Sequence, residues 1–214
     1  MNVGILGSGD VGQALGRGFL TLGHQVMLSS RDAENPRAVA WAKQAGERAT
    51  AGTFAKAAEF GEIVVLATLG VATENAIRIA GPDNFRGKLV LDTTNPLDRS
   101  KGMPPSIVGG LGDSAGERHQ RLLPGARVVK VFNTVGNALF FRPDLPGGPP
   151  SMFICGDDAG AKQRVGEICK DFGWETIDVG PIGAAHYLEA MCMVWVLTAV
   201  ASHTWTQAFK LLRK

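Results

Sequence analysis

The chain has 214 residues, of which 45% are hydrophobic and 20% are charged, and its formal net charge is +2. This length suits one domain, or one domain with a small appended lobe, and the composition excludes a chain dominated by disorder. Lys and Arg are spread along the chain without a basic run, so nucleic acid is not expected as a partner.

The first part of the chain alternates short apolar runs with segments whose apolar residues recur at helical spacing. The pattern predicts strands over 2–6, 25–28, 62–67 and 88–92, and helices over 11–22, 37–44, 53–59 and 74–80. Near-continuous apolar strands that alternate with helices are typical of a parallel sheet buried on both faces. We therefore predict an α/β fold of the doubly wound Rossmann type with a mostly parallel sheet.

The second part continues the pattern after a polar, Pro- and Gly-containing surface loop over 95–116. Its predicted elements are a helix over 117–123, strands over 127–132, 151–155 and 175–179, a helix over 159–172 and a long terminal helix over 184–212. The Pro/Gly-rich segment 142–150 is the best candidate for an internal boundary. The predicted domains are residues 1–142 and a small C-terminal αβ lobe, residues 151–214.

The first strand is followed by Gly-x-Gly-x-x-Gly, in the strand–turn–helix setting that a dinucleotide site requires. Gly7 permits the tight turn, Gly9 lets the main chain approach a pyrophosphate, and Gly12 brings the helix against the sheet. The helix N-terminus supplies free N–H groups to the phosphates. The predicted pyrophosphate site consists of Gly7, Ser8, Gly9, Asp10, Val11 and Gly12.

The residues after the second strand indicate which dinucleotide binds. An NAD site usually has an acidic residue there, whereas this chain has Ser29, Ser30 and Arg31, with Arg37 further on. Hydroxyl donors and guanidinium groups suit a 2′-phosphate, so NADP(H) is the predicted cofactor. The alternative is that Arg31 is only a solvated loop charge. Asp32 is an acidic residue that speaks against an NADP(H) site, and we interpret it as a helix cap.

Three further strand ends carry candidate residues for the rest of the dinucleotide. In open α/β sheets, ligands bind outside the carboxyl ends of the strands. Loop Thr residues and Asn-Pro pairs are also common turn formers, so a structural role is the alternative for these residues. The candidates are Ala67, Thr68 and Leu69, then Asn95 and Pro96, and then Asn133, Thr134 and Val135.

Groups for acid–base or metal chemistry are scarce in the sequence. His24 is interpreted as a turn residue and His119 as a surface helix residue, and neither the histidines nor the cysteines have metal-ligand spacing. No lysine occurs between Gly180 and Phe209, where many small hydroxy-acid reductases carry a general acid. We therefore predict no metal and no catalytic side chain, and a reaction such as direct hydride exchange between stacked rings.

Several segments together resemble a known family: GILGSGDVGQALGRGFLTLGHQV, SSR, LDTTNPL, LPGARVVKVFNTVGN, FICGDDAGAKQRV and AFKLLRK. They resemble the NADPH-dependent deazaflavin (coenzyme F-420) reductases over essentially the whole chain. They also resemble the cytosolic NADPH-binding domain of the six-transmembrane epithelial antigen metalloreductases. The resemblance implies a Rossmann domain with a small C-terminal lobe, often dimeric, that passes hydride from NADPH to a deazaflavin, a flavin or a similar small acceptor in a cleft.

The resemblance does not fix the acceptor, because loop 99–116 and segment 140–150 do not match the deazaflavin reductases residue by residue. Two alternatives stay open: an NADPH-binding redox sensor without turnover, and a reductase of small imines or keto acids.

The apolar stripe 191–195 with Trp205 is interpreted as core or a homodimer contact. No leader, no C-x-x-C spacing and no apolar run of about 20 residues are seen, which predicts a cytoplasmic protein without a membrane partner.

Overall fold

The computed structural model describes residues 1–109 and 112–214, and its central feature is an eight-stranded sheet. The strands of this sheet are β1 (Asn2–Leu6), β2 (Gln25–Ser30), β3 (Ala49–Thr53), β4 (Ile63–Leu66), β5 (Leu89–Asp92), β8 (Arg127–Lys130), β9 (Ser151–Gly156) and β10 (Glu175–Asp178). A separate antiparallel pair consists of β6 (Leu97–Asp98) and β7 (Ser106–Ile107). The α-helices are α1 (Asp10–Thr21), α2 (Pro36–Ala45), α3 (Phe54–Phe60), α4 (Gly70–Ala80), α5 (Ala115–Leu122), α6 (Ala159–Asp171) and α7 (Ala185–Ser202).

The strand order is β10-β9-β8-β5-β4-β1-β2-β3. The six strands from β3 to β8 run parallel, β9 pairs antiparallel with β8, and β10 runs parallel to β9. The chain order therefore reverses between β1 and β4, which is the switch point at which open sheets of this kind bind ligands. The predicted doubly wound Rossmann fold is confirmed.

Two hydrophobic cores cover the two faces of the sheet. Alternate residues of a strand point to opposite faces, so Val3 and Ile5 of β1 enter one core and Leu6 enters the other. The first core lies under α1, α2 and α6, and the second lies under α3 and α4. Gly4 allows α3 to approach β1, because a Cβ atom at this position would lie 1.9 Å from the carbonyl oxygen of Ala57.

Two elements differ from the sequence prediction. Strand β3 was not predicted, because Ala49–Thr53 contains only Ala, Thr and Gly and shows no apolar run at this edge position. The terminal helix ends at Ser202 rather than at residue 212, because His203 adopts a left-handed conformation with φ of +53°. The chain then runs back towards β9, where the N–H of Ser151 donates to the carbonyl of Phe209.

Loop 95–116 also contains more structure than predicted. It includes β6 and β7, and α5 begins at Ala115 with a capping box between Ser114 and Glu117. Gly110 and Leu111 of the predicted loop lie outside the described residues. This loop leaves β5 directly beside the ligand-binding edge of the sheet.

The helical stretch Ile182–Ser202 has the length and apolar composition of a membrane-crossing helix, with mean hydropathy 1.4. Core helices of soluble proteins meet the same criterion, and 39% of the most apolar 18-residue window of this stretch is buried inside the structure. It carries Glu189, which is ion-paired with a buried lysine. The expectation of no membrane partner stays a prediction.

The proposed division between residues 1–142 and 151–214 also stays a prediction. Strands β9 and β10 of the second part extend the same sheet. Residues of both parts share one core, in which Phe19 and Phe172 have ring centroids 5.0 Å apart.

We predict that Gly4→Ala will destabilise the fold by about 2 kcal/mol or more, because the added methyl group collides with backbone that cannot rotate away. Urea unfolding of the two proteins measures this difference. Gly160→Ala is the matched control: Gly160 is exposed in the first turn of α6, so the same change there will be neutral or stabilising by up to about 1 kcal/mol. Equal stability of Gly4→Ala and the wild type would contradict the close approach of α3.

Candidate active site

Two adjoining cavities open at the carboxyl ends of the strands, next to the switch point between β1 and β4. The first has a volume of about 290 Å³ and the second about 350 Å³. The residues that line both are Val11, Thr93, Asn95, Leu97 and Arg99. The shared wall means that ligands in the two cavities would lie side by side.

The glycine turn lies next to the two cavities, and its Val11 lines both of them. Gly7 has φ of +128°, and a Cβ atom there would lie 2.3 Å from the carbonyl oxygen of Ala67. A Cβ atom at Gly12 would lie 2.1 Å from the carbonyl oxygen of Gly7. At Gly9, in contrast, no described atom lies within 4 Å of the position of a Cβ atom. The fold itself thus explains Gly7 and Gly12, and Gly9 faces open space at the N-terminus of α1.

The residues after β2 are arranged unequally. Ser29 is fully buried and its hydroxyl donates to the carbonyl of Ile5 at 2.7 Å, so it holds β2 against β1. Ser30 is half-buried and its hydroxyl forms a local turn with Asp32. The interpretation of Asp32 as a helix cap is wrong, because Asn35 caps α2. Arg31 is exposed, and Arg37 lies 2.6 Å from Asp10 of α1.

Asn35 is a further residue of this region that sequence reasoning missed. Its side-chain oxygen accepts from the N–H groups of Arg37 and Ala38 and lies 3.3 Å from the hydroxyl of Ser8. It therefore caps α2 and ties this helix to the glycine turn. The Asn-Pro pair at 35–36 is a helix-start signal that would have identified it.

The loops after β4 and β5 pack against each other. The hydroxyls of Thr68 and Thr73 lie 2.9 Å apart, and Leu69 projects into solvent. A Cβ atom at Gly70 would lie 1.9 Å from the carbonyl oxygen of Asn95, so only glycine allows this contact. Pro96 follows with its carbonyl accepting from Val108 at 2.7 Å.

Asn95 and Asn133 join the ends of β5 and β8. The amide of Asn95 donates to the carbonyl of Asn133 at 2.8 Å, and the amide of Asn133 donates to the side-chain oxygen of Asn95 at 3.0 Å. Phe132 has φ of +55°, an uncommon conformation for a residue other than glycine, and it turns the chain so that Asn133 faces the second cavity. The side-chain oxygen of Asn133 is buried and no described residue bonds to it. Thr134 and Val135 are buried beside it, and Val135 also lines the second cavity.

The far wall of the second cavity is apolar and aromatic. It is formed by Cys192, Trp195 and Val196 of α7, by Phe140, and by Trp205 of the returning C-terminal segment. The rings of Trp195 and Trp205 lie 5.6 Å apart, and the indole N–H of Trp195 donates to the carbonyl of Gln207. Burial raises the pKa of Cys192 to about 12, so its thiol is not a nucleophile at neutral pH. The stripe 191–195 with Trp205 is thus divided between this wall and the surface, where Val194 is exposed.

A cluster of four buried ionisable side chains lies behind this site, and sequence reasoning missed it. Lys130 is at the centre, with Nζ 2.9 Å from Asp92 Oδ2 and 2.9 Å from Glu189 Oε1. Nδ1 of His119 lies 2.8 Å from Asp92 Oδ2. The interpretation of His119 as a surface residue is therefore wrong: it is fully buried on the inner face of α5, where Asp92 supplies a polar partner.

Burial and charge act in opposite directions on this cluster. Burial by itself would raise the pKa of Asp92, but the Lys130 ammonium and then His119 hold that pKa far below its ordinary value. Burial by itself would lower the pKa of Lys130, but Asp92 and Glu189 raise it above its ordinary value. The central pair is therefore charged across the range in which most proteins are stable.

A mostly parallel sheet with a glycine turn after β1 and cavities at its switch point is the arrangement of the Rossmann class of dinucleotide-dependent oxidoreductases. Comparison with known proteins narrows this class. Residues 2–96 match the family described as NADP oxidoreductase, coenzyme F420-dependent. The chain belongs to this family and is an NADP-dependent oxidoreductase, which confirms the expected family and cofactor.

Individual relatives agree with this assignment. A crystal structure from Arthrobacter sp. FB24, provisionally described as an F420-dependent NADP reductase, is 36% identical over the whole of both chains with a TM-score of 0.93. The F420-dependent NADP reductase of Methanothermobacter marburgensis is 29% identical over an alignment of 202 residues that covers 88% of each chain. The metalloreductase STEAP3 of Rattus norvegicus is 28% identical over 88% of this chain, and the match spans only 36% of the length of STEAP3.

We predict that Lys130→Met will reverse the pH dependence of stability in mildly acidic solution. In the wild type the lowered pKa of Asp92 stabilises the fold above the unfolded value of about 3.9, and this contribution is lost as the pH falls through the folded value. Without the ammonium, burial will raise the pKa of Asp92, so the free energy of unfolding will increase as the pH falls from about 8 to about 5. At about pH 7 the variant will be about 3–5 kcal/mol less stable.

Urea unfolding at a series of pH values measures both effects. Lys162→Met is the control, because it removes the lysine of a partly exposed pair with Asp178, and its profile will run parallel to that of the wild type. A parallel profile for Lys130→Met would contradict the assignment of Asp92 and Lys130 as a charged pair.

Proposed function

We propose that the protein transfers hydride between NADP(H) and a planar deazaflavin, flavin or similar acceptor. The observation that carries this proposal is the shared wall of the two cavities, which would place a nicotinamide and an acceptor side by side. When bound, NADPH supplies the hydride, and the protein supplies position and exclusion of water.

The nucleotide half of the site is proposed from the glycine turn and the strand ends. The pyrophosphate would lie on residues 7–12, the 2′-phosphate near Ser30, Arg31 and Arg37, and the nicotinamide near Asn95, Pro96 and 133–135. Two observations fit this placement: the open space above Gly9, which backbone N–H groups of α1 border, and the buried oxygen of Asn133 without a described partner. Ser29 is left out of the phosphate site, because its hydroxyl is buried in the sheet.

To bind the 2′-phosphate, Arg37 must release Asp10 and pair with the phosphate instead. Its pair with Asp10 is solvent-exposed on both sides, with side-chain exposures of 59% and 76%. Exposed pairs of this kind contribute little to stability. A dianionic phosphate with bidentate geometry is a stronger partner for a guanidinium group, so the exchange favours NADP(H) over NAD(H).

The acceptor half is proposed from the aromatic wall. Trp195, Trp205 and Phe140 offer ring faces and edges that suit a flat, conjugated acceptor. Among the described lining residues of both cavities, the ionisable side chains are Asp98, Arg99 and Cys192. Hydrogen bonds from Ser100 lower the pKa of Asp98 and burial raises the pKa of Cys192, so neither group is poised for acid–base work at neutral pH. This agrees with transfer by juxtaposition without a catalytic side chain. Arg99 is the cation at the junction of the cavities and would attract a negatively charged group of the acceptor.

We propose further that the protein acts as a cytoplasmic homodimer. Tyr187, Val194 and Leu197 are exposed along one side of α7, at the spacing of one helix face. A second copy of the chain would cover this apolar face. Sedimentation equilibrium of the wild type and of Leu197→Asp measures the association directly.

We predict that Gly9→Ala will weaken NADPH binding at least about tenfold without loss of thermal stability, because the methyl group occupies space that only a ligand would fill. Gly12→Ala is the matched control, since its methyl group collides with the Gly7 carbonyl and will lower thermal stability. Isothermal titration calorimetry and thermal unfolding measure the two effects. Unchanged NADPH affinity in a folded Gly9→Ala protein would contradict the phosphate site.

The proposed reaction is tested by following NADPH oxidation at the nicotinamide absorbance band with five acceptors: a deazaflavin, FMN, riboflavin, a ferric chelate and a cyclic imine. Rapid turnover of a deazaflavin or flavin with NADPH, and little turnover with NADH, is the expected result. Tight NADPH binding without turnover of any acceptor would overturn the proposal in favour of a redox sensor. Turnover of a cyclic imine alone would favour an imine reductase.

A further inference from the structure

The cluster of Asp92, His119, Lys130 and Glu189 has no place in the nucleotide and acceptor sites described above. Asp92 and Lys130 are the last residues of β5 and β8 and are register partners on these adjacent strands. His119 comes from α5 and Glu189 from α7, and all four are at most 2% exposed. None of the four is among the described residues that line either cavity. Any effect of the cluster on a bound ligand therefore passes through the residues that it holds.

Lys130 is the centre of the cluster and has no free donor. Its ammonium lies 2.9 Å from Asp92 Oδ2 and 2.9 Å from Glu189 Oε1, and it donates to the carbonyl of Thr94 at 2.9 Å. An ammonium group has three N–H donors, so these acceptors satisfy it completely. Such a group is a rigid three-way connection and is not a proton donor to a ligand.

Asp92 fixes the side of the site that would hold the nicotinamide. One of its carboxylate oxygens accepts from both the N–H and the hydroxyl of Thr94, at 3.0 and 2.7 Å. Thr94 precedes Asn95, whose side chain is paired with Asn133. The position of the Asn95–Asn133 pair therefore depends on the Asp92–Lys130 contact.

Glu189 fixes the side that would hold the acceptor. Its carboxylate accepts from the N–H groups of Ala115 and Gly116 in the first turn of α5, each at 3.1 Å. On α7 it lies one turn before Cys192 and two turns before Val196, both in the wall of the second cavity. The preceding residue, Leu188, accepts through its carbonyl from the amide of Asn133 at 2.9 Å.

We infer that Lys130 is a positioning residue for hydride transfer, because the Asp92–Lys130–Glu189 connection sets the separation between the nicotinamide wall and the acceptor wall. This inference rests on the proposed function. Hydride transfer requires reacting atoms within about 3–3.5 Å, and a displacement of about 1 Å can cost about 100-fold in rate. Buried ion pairs add little stability over apolar residues of the same volume, so their value here lies in fixed geometry.

The test compares Lys130→Met and Glu189→Gln with the wild type in single-turnover reduction of FMN and of 5-deazariboflavin by NADPH. The expected rate losses are about 100-fold for Lys130→Met and about tenfold for Glu189→Gln. The dissociation constant of NADPH will stay within about twofold of the wild-type value, because the phosphates bind elsewhere. Lys130→Met leaves the buried carboxylates of Asp92 and Glu189 without their shared cation. If Lys130→Met does not fold for this reason, Glu189→Gln alone tests the inference.

The control is Phe85→Leu, which opens a gap in the core at the opposite end of β5 and lowers thermal stability without touching either cavity. Its single-turnover rate will match that of the wild type. If folded Glu189→Gln protein reacts within about twofold of Phe85→Leu, Lys130 has no positioning role and the inference is overturned.

A second readout separates this inference from the proposed reaction. The side-chain amide resonances of Asn95 and Asn133 in ¹⁵N-labelled protein report the pair directly, and NADPH will shift them in the wild type. In Glu189→Gln both resonances will differ from the wild type before and after NADPH addition, whereas they will be unchanged in Phe85→Leu. If the wild type reduces no acceptor, the proposed function fails, and these resonances alone decide the inference: unchanged resonances in Glu189→Gln overturn it.

Discussion

One buried ammonium group, that of Lys130, connects the parts of this molecule that surround its cavities. It contacts Asp92 at the end of β5, the carbonyl of Thr94 in the following loop, and Glu189 of α7. A buried charge keeps its partners, because separation leaves an uncompensated charge away from water. The sheet edge and the long helix are therefore held in one relation to each other. Glu189 extends this constraint to α5 by accepting from the first N–H groups of that helix.

The two cavities differ in the kind of group that forms them. The nucleotide side is built largely from backbone, with glycines that allow close approach and a helix N-terminus that faces open space at Gly9. The acceptor side is built from aromatic and aliphatic side chains of α7 and the returning C-terminal segment. This division suits a reaction in which the protein brings two conjugated rings together and transfers no proton of its own. It also agrees with membership of the F420-dependent NADP oxidoreductase family.

Local sequence patterns predicted the features that depend on neighbouring residues. The glycine motif, the apolar strands and the Ser-Ser-Arg segment after β2 identified the Rossmann fold and the preference for NADP. Features set by distant contacts were not predictable: the burial of His119 against Asp92, the pairing of Lys130 with Glu189, and the course of the chain after Ser202. A single polar residue has no periodicity, so nothing near His119 in the sequence indicates which side of α5 it occupies. Ser29 shows the same limit, because its place in β2 opposite Leu6 lets its buried hydroxyl donate to the carbonyl of Ile5.

In the reaction that we propose, hydride passes directly from the nicotinamide to the acceptor where the two cavities meet. The most direct measurement uses NADPH deuterated in turn at each C4 position, with 5-deazariboflavin as the acceptor, because hydrogen on its C5 carbon does not exchange with water. We predict that the reduced deazaflavin will carry the deuterium from one of the two positions only, as a single fixed orientation of the rings requires. Deuterium released to water, or transferred equally from both positions, would contradict direct transfer in an ordered site.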